Sequence, residues 1–64
     1  MYVIKNAVVN AENASFIGGA YGIRTKDGNP VVNVKNCYIE AGSTIFSVSA
    51  GAINDLGGNT THIH

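Results

Sequence analysis

The chain has 64 residues, among them eight Gly, eight Asn, seven Ala, seven Val and seven Ile, with four basic and four acidic side chains and no net charge. Leu and Met occur once each, and Gln and Trp are absent. Scarce helix formers beside abundant β-branched and turn-forming residues exclude a helical bundle, and four dispersed cations leave no electrostatic footprint for nucleic acid or an anionic membrane.

In chain order, the opening MYVIKNAVVN lacks the charged start, long apolar stretch and cleavage site of a signal peptide. No apolar run anywhere approaches the length of a membrane span. Ile4-Lys5-Asn6-Ala7-Val8-Val9-Asn10-Ala11 then lies over Val34-Lys35-Asn36-Cys37-Tyr38-Ile39-Glu40-Ala41 when the chain is slid against itself by thirty. The same offset pairs Phe16 with Phe46, Ala20 with Ala50, Ile23 with Ile53, and Gly28-Asn29 with Gly58-Asn59, eight identities in thirty-four pairs. Such a period reads as one turn of a coil, so the chain divides into coil 1 over 4–33 and coil 2 over 34–64 of a single segment, 1–64. Apolar bulk recurs at Ile4/Val34, Val9/Ile39, Phe16/Phe46 and Ile23/Ile53, as a shared interior requires.

The middle of the chain gives the clearest strand signal. Val32, Val34, Cys37 and Ile39 alternate inward across a bend at Asn36, leaving Asn33, Lys35, Tyr38 and Glu40 outward. Ser43-Thr44-Ile45-Phe46-Ser47-Val48-Ser49 alternates as a further strand. Asp27-Gly28-Asn29-Pro30 and Asp55-Leu56-Gly57-Gly58-Asn59 are turn clusters. No helical stripe is sustained anywhere. The predicted core is Ile4, Val9, Phe16, Ile23, Val34, Cys37, Ile39, Phe46 and Ile53.

Val32-Asn33-Val34-Lys35-Asn36-Cys37-Tyr38-Ile39 resembles the V-x-I-x-N-C-x-I coil of right-handed parallel β-helix proteins, the superfamily of pectate-lyase-like enzymes and bacteriophage tailspikes. Gly19-Ala20-Tyr21-Gly22-Ile23 and Gly57-Gly58-Asn59-Thr60 are similar to their coil-to-coil turns. The resemblance implies an all-β parallel β-solenoid of about two 30-residue coils without significant helix. It also implies a ladder of stacked asparagines at the bend, with Asn6 directly below Asn36. The simpler reading makes both of them turn residues.

Two coils are too few to stand alone, because a solenoid buries each coil against its neighbours and needs caps at its ends. A homo-oligomer (a trimer or a stack) or a larger β-helical protein is therefore expected to supply the missing cover. His62-Ile63-His64 places two imidazoles on one face of a strand, where they can converge on a metal. In a three-fold assembly six such nitrogens would suit a transition-metal ion, and the arrangement resembles the metal site at the tips of some phage spikes. The opposing reading is a polar chain end. No other cofactor is expected.

Acid–base chemistry needs paired carboxylates, or a carboxylate beside a cation. Glu12, Asp27, Glu40 and Asp55 fall at unrelated repeat positions, and a solvated surface suits all four. Glu40 with Lys35, or Asp27 with Arg24 and Lys26, could line an outer groove, and Tyr21 and Tyr38 could stack on sugars, although single exposed tyrosines need no explanation. Cys37, the single cysteine, reads as a small buried hydrophobe without a histidine partner. Asn13-Ala14-Ser15 and Asn59-Thr60-Thr61 have the form of glycosylation acceptors and read as chance in an Asn-rich chain. Gly18-Gly19-Ala20-Tyr21-Gly22 lacks the helix and the Lys-Ser/Thr of a phosphate loop.

The expectation is thus a structural, receptor-facing β-helix segment of a tailspike or tail fibre, in the virion tail or extracellular. It would act by stacking and by contact with a surface polysaccharide, with no catalytic residue of its own. The alternatives are a fragment of a polysaccharide lyase or hydrolase and a self-stacking filament protein.

Overall fold

The computed structural model describes residues 1–64. Nine strands follow one another without a helix: β1 (Tyr2–Ile4), β2 (Val8–Glu12), β3 (Ser15–Ile17), β4 (Tyr21–Lys26), β5 (Val31–Lys35), β6 (Tyr38–Ala41), β7 (Thr44–Val48), β8 (Ala52–Asp55) and β9 (Thr60–Ile63). They form three parallel sheets of three strands each, ordered β1-β4-β7, β2-β5-β8 and β3-β6-β9. The chain therefore visits the three sheets in turn, three times over, laying one rung on the next.

The rungs are shorter than the thirty residues the self-match suggests. Tyr2 pairs with Arg24, Asn10 with Asn33, Phe16 with Ile39, Ile23 with Phe46, Val32 with Ile53 and Glu40 with His62. These partners lie 21 to 23 residues apart. Coil boundaries at 4–33 and 34–64 do not follow this pairing, and three rungs replace two coils. The offset of thirty has a physical origin. It equals one rung plus one side, and so lays the corner after β1 over the corner after β5. Both corners share an apolar–Lys–Asn–small pattern, because both turn the chain out of one sheet and into the next.

Corners are made by residues that tolerate a left-handed backbone. Between the first and second sheets the turn uses Lys5, Asp27 with Gly28, and Gly51; between the second and third it uses Asn13, Asn36, and Gly57 with Gly58. At Gly51 (φ 71°) a Cβ would also overlap the Pro30 carbonyl oxygen, so glycine is required twice over.

Ten residues are buried, and nine of these (all but Val3) lie between Gly22 and Ala41, in the middle rung. Val32, Val34, Cys37 and Ile39 point inward across the bend at Asn36, together with Ile23, Thr25 and Ala41. Val9, Phe16, Phe46 and Ile53 pack on this cluster from the outer rungs and are only partly buried. Ile4, expected inside, is 38% exposed while Val3 is 5% exposed. Ile4 pairs with Lys26 on an outward row rather than sharing a row with Val34, and Val3 pairs with the buried Thr25.

Candidate functional site

The least satisfied surfaces are the two ends of the stack. β1, β2 and β3 close one end and β7, β8 and β9 the other, and each has a neighbour on one side only. An open parallel edge carries a row of unpaired backbone groups. It also exposes inward side chains that a further rung would cover. Val48 lies on the inward row Val3–Thr25–Val48 and is 51% exposed; Ile63 lies on the row of the buried Ala41 and is 49% exposed. Asp55 ends the row Ala11–Val34–Asp55. Its Oδ1 accepts from the Gly57 N–H (2.9 Å) and from the Asn59 side-chain amide (2.6 Å).

An asparagine ladder runs up the outward face of the second sheet. Asn33 Nδ2 donates to Asn10 Oδ1 at 2.9 Å, and Asn54 Nδ2 donates to Asn33 Oδ1 at 2.9 Å. The three residues share one register row. Asn6 and Asn36 do not stack, because they occupy different corners. Asn6 Oδ1 accepts from the Asn29 N–H at 3.1 Å, whereas Asn36 (φ 52°) turns the chain from β5 to β6 and donates its own N–H to the Gly57 carbonyl at 3.0 Å. The ladder had a sequence signal: Val8-Val9-Asn10 recurs unchanged as Val31-Val32-Asn33.

On the third sheet, Tyr38 Oη donates to Glu40 Oε1 at 2.6 Å, and His64 Nδ1 sits 3.1 Å from Glu40 Oε2. His62 is the register partner of Glu40 on the neighbouring strand. The phenol holds the Glu40 carboxyl below its usual range, with the two imidazoles assisting, and the carboxylate in turn raises the Tyr38 hydroxyl. No group of three or more His, Cys, Asp or Glu side chains has the geometry to hold a metal ion. Within one chain His62 and His64 face a carboxylate, so a metal at this position needs donors from elsewhere. Asp27 lies at the corner after β4, Glu12 ends β2 and pairs across to Lys35, and Asp55 is engaged in its own turn. Cys37 is buried, its thiol directed at the carbonyls of Lys35 (3.3 Å) and Ala11 (3.6 Å).

Arg24 has different neighbours from the Asp27 and Lys26 that sequence proximity suggests. Its guanidinium carbon lies 5.7 Å from the Tyr2 ring centre and 5.1 Å from that of Tyr21, within cation–π range. These three side chains, with Gly18, Gly19 and Ala20, line an open hollow. Arg24 Nε is buried without a hydrogen-bond partner, and no carboxylate lies within salt-bridge distance of the guanidinium. The lining includes no carboxylate.

No family model, curated protein or solved structure matches the chain.

Proposed function

We propose that the chain is a structural segment of a right-handed parallel β-helix, of the kind found in bacteriophage tailspikes and tail fibres, and that it works by joining its rungs end-on to others. The observation that carries this reading is the concentration of burial in the middle rung, which holds nine of the ten buried residues. A solenoid rung is satisfied when it has a neighbour above and below, and only β4, β5 and β6 have both. The right hand follows from the strong preference of parallel crossovers for that sense. A virion-tail or other extracellular location goes with this reading. Electron microscopy of the purified chain tests it. Stacking along the 12 Å axis gives unbranched fibres whose Cα cross-section is 29 by 22 Å. A uniform field of single 64-residue particles would count against end-on joining.

The hollow at Arg24 supports a second role for the lateral surface, contact with a glycan. A cation held between two tyrosines, with no carboxylate of its own, suits a sugar bearing an acidic group, which the guanidinium receives by charge-assisted hydrogen bonds. Titration with acidic and neutral oligosaccharides checks this. Binding should favour the acidic sugars and fall about tenfold or more in Arg24→Gln, the loss expected for one charged hydrogen bond. Absence of binding, or equal binding of both sugar classes by the two proteins, would remove the Arg24 hollow as an acidic-glycan site and leave the end-on role standing.

A further inference from the structure

The asparagine ladder has a direction, and that direction distinguishes the two ends of the molecule. Asn54 donates to Asn33 and Asn33 donates to Asn10. Every amide in the row thus points its N–H toward the first rung. The Asn10 Nδ2 is left as a free donor at one end, and the Asn54 Oδ1 as a free acceptor at the other. Two like ends brought together match donor with donor or acceptor with acceptor. Opposite ends match.

We propose that this row sets the polarity and register of assembly: the Asn10 side-chain amide of one copy donates to the Asn54 amide oxygen of the next, giving a head-to-tail stack. The proposal rests on the end-on reading above and adds which ends meet and in what register.

Backbone phase agrees with that register. In a parallel strand, each residue turns both its N–H and its C=O toward the same neighbouring strand, and successive residues alternate sides. The N–H groups of Ala52 and Leu56 donate inward to the Pro30 and Val34 carbonyls, so Ile53 and Asp55 turn out from the last rung. The Ala7 carbonyl accepts from the Val31 N–H, so Val8 and Asn10 turn out from the first. With Asn10 of one copy over Asn54 of the next, the outward groups of Val8 and Asn10 interleave with those of Ile53 and Asp55. The inward rows also continue, carrying Val9 over Ile53 and, on the first sheet, Val3 over the exposed Val48. Ala11 falls over Asp55, and its methyl leaves room beside a carboxylate already bonded to Gly57 and Asn59. A heterologous contact of this kind does not close on itself and propagates as a filament.

Asn10→Asp is the discriminating variant. Its carboxylate still accepts from Asn33 within the chain, but the outgoing donor becomes an anion facing the Asn54 amide oxygen. The variant alone should raise the critical concentration for fibres by about tenfold or more, the scale of one lost charge-linked contact. Its last-rung end is intact, so small amounts added to the unsubstituted chain should cap fibres and shorten them in proportion to the fraction added. Asn29→Asp makes the same charge change off the row and should assemble like the parent.

Independently of how Asn10→Asp folds, Val8→Cys chains mixed with Ala52→Cys chains report the register, because Val8 and Ala52 share one outward row. Oxidation of the assembled mixture should yield chiefly the mixed disulfide. Fibres that crosslink Val8→Cys to Val8→Cys, or that ignore folded Asn10→Asp, would overturn the polarity and leave end-on stacking intact. An unsubstituted chain that stays monomeric at every concentration overturns both.

Discussion

Thr25 shows how a single position can work against the fold that surrounds it. It is fully buried on the row Val3–Thr25–Val48, and its hydroxyl oxygen has no hydrogen-bond partner. A buried hydroxyl without a partner costs roughly 1–3 kcal/mol of desolvation. Thr25→Val keeps the branched shape and removes the orphan, so it should raise the free energy of unfolding by about 1–2 kcal/mol in urea titration. An unchanged or lower midpoint would show that the hydroxyl is satisfied. The Tyr38–Glu40 pair works in the opposite sense, as a satisfied contact with a pH signature. The Glu40 carboxyl is held below its usual range, so its contribution is present at neutral pH and lost as the solution is acidified through the depressed value. The Tyr38 hydroxyl is held above the usual range, so its share is present below the ordinary tyrosine pKa and lost as pH climbs through the raised value. Ultraviolet titration should find Tyr38 ionising above the ordinary tyrosine range, and Glu40→Gln should bring it back down. At this scale the inward side is legible where alternation is unbroken, as at Val32, Val34, Cys37 and Ile39. It is not legible at Ile4, because three consecutive bulky residues, Tyr2-Val3-Ile4, give no parity signal and the thirty-residue offset lays Ile4 over Val34, which is not on its row.

Strands and corners were legible as kinds, but their repeat was not. The corner between the second and third sheets takes two residues after β2 and after β5, and four after β8. The period changes from rung to rung, so a constant offset of thirty superposes two different corners. The recurrent Val-Val-Asn was the better guide, since it marks one strand of one sheet in successive rungs. The Arg24 hollow was out of reach for a related reason. Tyr2 meets Arg24 only across a rung, and the wrong period cannot bring them together. Two substitutions test the elements. Gly51→Ala forces a Cβ into the Pro30 carbonyl at a left-handed corner and should destabilise the chain by about 1–3 kcal/mol. Wild-type stability in that variant would mean that the corner before β8 is free to rearrange. Asp55→Asn keeps the oxygen that accepts from Gly57 and removes the only charge on an inward row of the last rung. It should lower the concentration at which fibres appear, as read by light scattering; a higher threshold would place the Asp55 charge among the attractive contacts.

For the molecule as a whole, three stacked rungs are at the threshold of what a solenoid needs, and two of them are ends. The proposed end-on joining would bring together two chemically distinct ends, apolar on most of their inward rows apart from Asp55 and bridged by the oriented asparagine row. Sedimentation velocity over a wide concentration range tests this most directly. The weight-average mass should rise steadily from the 6.7 kDa of one chain toward an open-ended series of multiples. A single species of 6.7 kDa at all concentrations would contradict it.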